Sequence, residues 1–419
     1  VGAVNPNVLD NWFSQWLLMD TEDDNCPLVS NPDQDDYDSD GRGDACDRDD
    51  DNDGVEDAFD LFPFNTTESY DSDRDGVGNN ADMDDDNDGI SDIQDVRPLV
   101  AACPLGTTEV SMDRSFDEFY GHWSHDGIDK ETVAIIAPAL CQLPAQISED
   151  LTLDPRSAYY INGPVVVGNG HGEFTDNGDL IDGTSLQRVT LTIPAGTKLY
   201  AESEDWRFYE STVEPRVSRL QVTRGSRIVA DGNRQNPIVM TDIGHGYGGS
   251  GRWGGLIIQG RAGNSSCDDA GACNAYSTGL GFSGGGDELD DSGVLKYVVI
   301  TGAGQQRGYF DEALDQSIEI RSGGLTLQSV GQGTVIDTLQ IDETGSGASV
   351  NFSGGSVNAK RLVLTRQGST MLSMDSGYVG NLQHVFVNQR DWSYLGSAIR
   401  VSSDEMASRK TTPTLANFT

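Results

Sequence analysis

The sequence predicts an all-β chain. Its larger part reads as a parallel β-helix with coils of about 22 residues, preceded by an irregular calcium-bound Asp-rich array and a short amphipathic N-terminal segment. Three observations carry this. One acidic loop is written four times between residues 36 and 95. Gly-led triplets recur at a fixed step near the C-terminal end. Residues 20–95 hold 29 of the 68 acidic residues and almost nothing apolar from which to build a core.

The first element is residues 1–19. Val8, Leu9, Trp12, Phe13, Trp16 and Leu17 recur at helical spacing. An apolar stripe most often packs on its own chain. Here the neighbouring array offers little to cover it, so Leu9, Trp12, Phe13, Trp16 and Leu17 are candidates for docking into another copy of the chain.

The second element is residues 20–98. Its loops place Asp at positions 1, 3, 5 and 12 and Gly at position 6. They are Asp36, Asp38, Asp40, Gly41, Asp47; Asp49, Asp51, Asp53, Gly54, Asp60; Asp71, Asp73, Asp75, Gly76, Asp82; and Asp84, Asp86, Asp88, Gly89, Asp95. Ca²⁺ takes six to eight oxygens at roughly 2.4 Å, and alternating carboxylates supply them from one side. Gly at position 6 permits the sharp turn. The carbonyl at position 7, from Arg42, Val55, Val77 or Ile90, adds a ligand, and the position-12 carboxylate closes the cage. Asp in place of Glu at position 12 gives one fewer oxygen and points to weak, extracellular-range sites. A disordered acidic linker has the same composition but no need to hold register.

Residues 99–147 read as a connector, and residues 148–419 as the β-helix. Gly333-Thr334-Val335, Gly355-Ser356-Val357 and Gly377-Tyr378-Val379 step by 22, and each opens a strand, Val335–Ile341, Val357–Leu364 and Val379–Val387. Val330, Phe352 and Met374 keep the same step. Repeats of this length bury their inward faces on their neighbours, with Gly at the corners. Leu191–Leu199, Leu220–Val229, Pro237–Thr241, Trp253–Gln259 and Val294–Thr301 read as irregular coils of the same solenoid.

A net charge of −41 with no basic face excludes a nucleic-acid partner. No apolar run is long enough to span a membrane. Val1, with no Met and no leader, fits a processed secreted chain, and a first residue other than Cys argues against an N-terminal lipid anchor. The six cysteines fall in local pairs, Cys26/Cys46, Cys103/Cys141 and Cys267/Cys273, none with zinc-type spacing. An even count beside calcium loops suits disulfides in an oxidising setting.

Asp24-Asn25-Cys26-Pro27, Asn31-Pro32-Asp33-Gln34 and Asp38-Ser39-Asp40-Gly41-Arg42-Gly43-Asp44-Ala45-Cys46-Asp47 together resemble a thrombospondin type 3 repeat. The resemblance implies several bound Ca²⁺ ions and a Cys26–Cys46 disulfide; the other two local pairs are expected to bridge likewise. The half-array from Asp71 lacks those cysteines. Leu191-Thr192-Ile193-Pro194-Ala195-Gly196-Thr197, Asn236-Pro237-Ile238-Val239, Arg252-Trp253-Gly254-Gly255-Leu256 and Gly355-Ser356-Val357-Asn358-Ala359-Lys360 resemble an uncharacterised bacterial family of secreted β-helix proteins. That resemblance implies a right-handed parallel β-helix and little about function.

Two classes of function remain. One is a secreted, calcium-stabilised structural or adhesive protein of the cell surface, whose copies assemble into a filament. The other is a lyase or binding module for extracellular polysaccharide, for which Lys296, Arg307, Lys360, Arg361 and Arg366 are the candidate cations. A solvated charge is the commoner fate of each. His122 and His125 flank Trp123 without a carboxylate-histidine motif. No nucleophile elbow, HExxH or phosphate loop is present. Asn65 and Asn264 are the sequons expected in loops.

Overall fold

The structure is a computed structural model, described for residues 24–95, 97–110, 139–175, 179–202, 217–243, 251–267, 273–277, 279–304, 306–311, 316–345, 347–366, 369–388, 396–405 and 407–419, with backbone only at 306–311 and 316–321. The stripe Leu9, Trp12, Phe13, Trp16 and Leu17 lies outside the described residues, as do His122 and His125. The chain divides into two compact units, residues 1–101 and 102–419. Among the described residues neither contains a helix, so none is long and apolar enough to cross a membrane.

The first unit has no regular secondary structure among its described residues. It is a run of turns closed by side chains, and Cys26 is bridged to Cys46 with their Cα atoms 5.7 Å apart.

The second unit is a parallel β-helix. Thr108–Glu109 pairs antiparallel with Leu140–Gln142, and Cys103 is bridged to Cys141 beside it. From Leu140–Gln142 onward the strands stack in parallel as two sheets, one of 13 strands with Thr108–Glu109 counted in and one of 8. Ala275–Ser277 with Gly281–Ser283, and Gln306–Asp311 with Gln316–Arg321, are antiparallel hairpins set outside the stack.

The core is a set of columns that run from coil to coil. On the larger sheet Leu295, Ile336, Ala359 and Leu382 stack in register, as do Val298, Leu339, Leu362 and Val385. All eight are at most 3 % exposed. On the smaller sheet Leu220, Leu256, Leu325, Val350 and Leu372 form one column. Ile258, Leu327, Phe352 and Met374 form the next, and Phe352 stacks on Tyr378 at 4.7 Å. Each strand alone buries only one face; stacking lets every apolar residue be covered from above and below.

Three sequence expectations need adjustment. Phe352 and Met374 share a column, but Leu327 stands beneath them rather than Val330. Val330 is buried at the following corner, where its carbonyl accepts the Val357 amide at 3.0 Å. The coil below is longer, because Leu325 pairs with Val350 whereas Val350 pairs with Leu372. Leu191–Leu199 is not one segment but two strands, Thr190–Ile193 and Lys198–Ala201, parted by a turn in which the Thr197 amide donates to Pro194. Leu220–Val229 divides the same way into Arg219–Val222 and Arg227–Asp231.

On the larger sheet the short strands Arg227–Asp231 and Ile238–Asp242 both pair with one bent strand, Gly293–Thr301, and the coils above keep single bent strands, Val335–Asp342, Asn358–Thr365 and Asn381–Asn388. The bend is made without glycine. Tyr297, Thr338, Arg361, His384 and Asn417 stand in register and all have φ between 49° and 58°. The left-handed region costs a side-chain-bearing residue about 1–2 kcal/mol. The flanking ladder fixes the backbone on both sides, so the strain is over-determined by pairing.

Outside the smaller sheet a buried polar layer holds the excursion that follows Gln259. Gln221 donates to Gln259 at 2.9 Å, and Gln259 donates to Gln328 at 3.0 Å. Arg224 is fully buried. It donates to the carbonyls of Gly170 at 2.9 Å and Gly284 at 3.0 Å, and lies 3.6 Å over the Phe174 ring. Burial pulls its pKa down to about 10.

Candidate metal centres

All four acidic loops share one hydrogen-bond scheme, and each bond follows from the residue type at its position. The position-6 Gly amide donates to the position-1 carboxylate: Gly41 to Asp36 at 3.1 Å, and Gly54 to Asp49, Gly76 to Asp71 and Gly89 to Asp84 at 3.0 Å. The position-5 amide donates to position 3, as from Asp40 to Asp38 at 2.9 Å and Asp88 to Asp86 at 3.1 Å. The position-7 amides of Arg42, Val55, Val77 and Ile90 donate to the position-5 carboxylates, each at 2.8 Å. The four glycines sit at φ of 92° to 101°, a conformation in which a side chain would be strained.

These bonds turn the carboxylates of positions 1, 3 and 5 to one point. In the sets Asp36/Asp38/Asp40, Asp49/Asp51/Asp53, Asp71/Asp73/Asp75 and Asp84/Asp86/Asp88, one oxygen from each residue lies within 4.8 Å of the others. Every loop also leaves oxygens over. Asp36 Oδ1, Asp49 Oδ1, Asp51 Oδ2 and Asp73 Oδ2 are buried with no hydrogen-bond partner. A buried carboxylate oxygen facing other carboxylates is costly unless a cation sits there. The donor set is all oxygen, which suits a hard cation such as Ca²⁺. The residues therefore fit the ion.

The position-12 residues behave differently. Asp47, Asp60, Asp82 and Asp95 each accept a following backbone amide, at 2.6 to 2.8 Å from Arg48, Phe62, Met83 and Arg97. Asp60 Oδ2 and Asp95 Oδ2 are left buried and unbonded, available to close a cage. Arg42, whose carbonyl is the position-7 candidate, also places its guanidinium 3.4 Å from Asp47. Burial raises the Asp47 pKa, but the amides of Arg48 and Asp49 and the Arg42 charge outweigh that and hold it low.

Sequence reasoning missed position 9. Asp44, Asp57, Asn79 and Asp92 each accept the amide of position 2 at 2.8 to 2.9 Å, from Tyr37, Asp50, Ser72 and Asp85. The signal was present, because three of the four loops carry Asp there and the fourth Asn. Position 2 of the second and fourth loops was missed as well. Burial, and after it the neighbouring carboxylates, push Asp50 and Asp85 up to about 6. Asp86 is pushed to about 6 by burial and Asp88.

The two half-arrays close by different means. In the first, the Asn25 side chain donates to the carbonyls of Gln34 and Asp35, each at 3.1 Å, next to the Cys26–Cys46 bridge. In the second there is no cysteine, and the buried Glu68 carboxylate accepts the Asn80 amide at 2.9 Å. Gly43 and Gly78 face these side chains so closely that an added methyl would strike Asn25 or Glu68.

The candidate cations of the β-helix are committed to ion pairs between neighbouring coils. Lys296 lies 3.2 Å from Asp231, and Lys360 3.3 Å from Asp337, which also holds Arg361. Arg366 is held by Asp342 and lies 3.0 Å from Glu343. The Arg307 side chain lies outside the described residues. A cavity of about 290 Å³ is lined by Arg188, Arg227, Arg261, Asp287, Asp290 and Asp291, among others. Cys267 is bridged to Cys273. Asn264 lies in a loop, as expected, and is buried there with its amide donating to Ser329 Oγ at 3.3 Å.

Loops of this geometry in one unit and stacked parallel coils in the other define the class: acidic metal-binding repeats joined to a β-solenoid. The family model described as pectate-lyase like beta helix domain matches residues 145–419, and the chain belongs to that family. The thrombospondin type 3 repeat matches residues 35–68 and 70–103. Thrombospondin-2 of Gallus gallus is 74 % identical over 34 residues, which is 8 % of this chain and 3 % of that protein. Thrombospondin-2 of Bos taurus is 53 % identical over 55 residues, 12 % of this chain and 5 % of that protein. Thrombospondin-1 of Xenopus laevis is 69 % identical over 32 residues, 8 % of this chain and 3 % of that protein. The chain thus spans only a few per cent of the length of these relatives. No solved structure matches it.

Proposed function

We propose that the chain is an extracellular structural protein of the adhesive type, ordered by calcium through its four acidic loops and assembled with other copies of itself. The observation that carries this reading is the fourfold cage of carboxylates with buried, unbonded oxygens. Such a segment has no apolar core, so ion binding supplies its folding energy. The ion-paired Lys296, Lys360, Arg361 and Arg366 leave none of these four as a ready base, which favours a structural role for the β-helix. Residues Leu9, Trp12, Phe13, Trp16 and Leu17 are the proposed contact with a neighbouring copy. Sedimentation of the native chain with millimolar calcium tests this. The reading expects concentration-dependent assembly that is lost on deletion of residues 1–19 with the β-helix intact. A monomer at every concentration sinks the assembly.

The cleft of Arg188, Arg227 and Arg261 favours a second reading, a polysaccharide-binding module. Arg227 is paired with Asp291 at 2.8 Å and Arg261 with Asp287, so Arg188 is the guanidinium offered to a sugar carboxylate, and the Asp groups suit hydroxyls. Calorimetry with oligogalacturonate and with a neutral glucan separates the readings: binding of the acidic oligomer alone supports the second.

A further inference from the structure

We propose that Asn52 is a positioning residue that couples the first two calcium loops, so that loop 36–47 and loop 49–60 fill together while the two loops of the second half-array fill independently. This rests on the calcium reading above. Asn52 is position 4 of the second loop, with φ of 58°. Its side-chain amide donates to Asp38 Oδ2, in the first loop and 14 residues away. The other oxygen, Asp38 Oδ1, accepts the Asp40 amide at 2.9 Å. Asp38 is therefore aimed by its own loop on one oxygen and by the next loop on the other. A carboxylate oxygen has two lone pairs, so Asp38 accepts Asn52 and still faces an ion.

A related tie, to a position-5 carboxylate and from a residue between the loops, lies one step on. Ser69 Oγ donates to Asp53 Oδ2, while Asp53 Oδ1 holds the Val55 amide at 2.8 Å. Each tie runs from a following segment back to an ion-facing carboxylate. Groups that orient ligands in this way set metal affinity nearly as strongly as the ligands themselves.

The second half-array lacks the first tie. Asp73 holds the place there that Asp38 holds in the first, and Asn87 the place of Asn52. Asp73 Oδ2 is buried with no hydrogen-bond partner. An ion in loop 49–60 fixes the backbone at Asn52, and with it the amide that orients Asp38. By reciprocity an ion in loop 36–47 favours the next loop equally. Among the described residues no hydrogen bond of this kind joins Asp73 Oδ2 to the fourth loop.

The test is hydrogen exchange of the full chain across a calcium titration, read separately for residues 36–47, 49–60, 71–82 and 84–95. Asn52→Gly removes the side chain and keeps the left-handed backbone accessible; Asn87→Gly is the matched control. In the native chain the first two loops share one midpoint and the last two do not. Asn52→Gly raises the midpoint of 36–47 roughly 10-fold and parts it from that of 49–60. Asn87→Gly moves neither. Coincident, unmoved midpoints for the first two loops in Asn52→Gly overturn the coupling. A native chain whose protection ignores calcium overturns the coupling together with the calcium reading, so the two failures are told apart.

Discussion

Removing calcium is expected to unfold residues 24–101 and leave residues 139–419 folded. In each cage three carboxylates place oxygens within 4.8 Å of one another. Two unit charges at that distance repel by roughly 3.5 kcal/mol at an effective dielectric near 20, and by about 0.9 kcal/mol in bulk water. Three pairs give roughly 3 to 10 kcal/mol per cage, depending on how far water screens them. Across four cages the repulsion reaches or exceeds the 5–15 kcal/mol by which a domain is ordinarily stable. The array has no apolar core to offset it, because Phe59, Leu61, Met83 and Ile93 are all more than half exposed. Metal-free, the described residues of the first unit are held by one disulfide and their turns. Limited proteolysis with and without chelator, mapped by mass, reads this directly. Cleavage confined to the first unit, and only in chelator, is the expected result. Equal resistance of residues 24–101 in both conditions would refute the reasoning, since the repulsion would then be balanced by something other than an ion.

Three further outcomes follow from the same geometry. Phe352→Ala deletes a fully buried ring and should cost about 3–5 kcal/mol, with exchange protection lost in the coils from Val335 onward and retained near Leu199 and Leu220, since a solenoid is stable piece by piece. Replacing Cys26 and Cys46 by Ser opens a loop of 20-residue separation and should cost about 3 kcal/mol, seen as a higher calcium midpoint for residues 36–60 with residues 71–95 unmoved. Two pH effects run in opposite directions. Burial raises the Asp342 pKa, but its bonds to Arg366 and Thr365 hold it low overall, and Glu288 is held low likewise by Arg409; stability from such groups is present above the unfolded pKa and lost as pH falls through the lower folded one, so thermal melting of the β-helix should drop below about pH 4. Asp50, Asp85 and Asp86, raised to about 6 in the metal-free chain, must release protons to accept an ion, so calcium affinity measured by calorimetry should climb between about pH 5 and 7.

The parts of this molecule that were legible in the sequence are those in which spacing alone encodes geometry. Asp at 1, 3 and 5 with Gly at 6 fixes a turn whatever lies around it, and the four carboxylate clusters stand where those positions put them. The column of Phe352 and Met374 was readable for the same reason, because that step is uninterrupted. Val330 misled because the coil below it is three residues longer, a change absorbed at a corner where no apolar pattern is required. Position 9 was overlooked because the reading stopped at positions 1, 3, 5, 7 and 12, although such loops also use position 9, often through water; here its side chain accepts a backbone amide. Asn264 does lie in a loop, as its polar neighbours indicated, but its burial against Ser329 comes from a contact 65 residues away that those neighbours do not signal. The ion pairs of Lys360, Arg361 and Arg366 join residues on adjacent coils, 23 to 24 positions apart, and no local pattern announces such partners.

The left-handed corner shared by Tyr297, Thr338, Arg361, His384 and Asn417 bears on how such a chain lengthens over evolutionary time. A phenol, a hydroxyl, a guanidinium, an imidazole and a carboxamide have little in common as turn formers. Each coil takes its outline from the one beneath, as a casting takes the shape of its mould. A duplicated or borrowed stretch of sequence would need only to bring apolar residues to the inward positions, and the stack would impose the bend upon it. Corner identity is thereby released from selection for turn chemistry, and the outer surface at that edge is left free to diverge from one coil to the next.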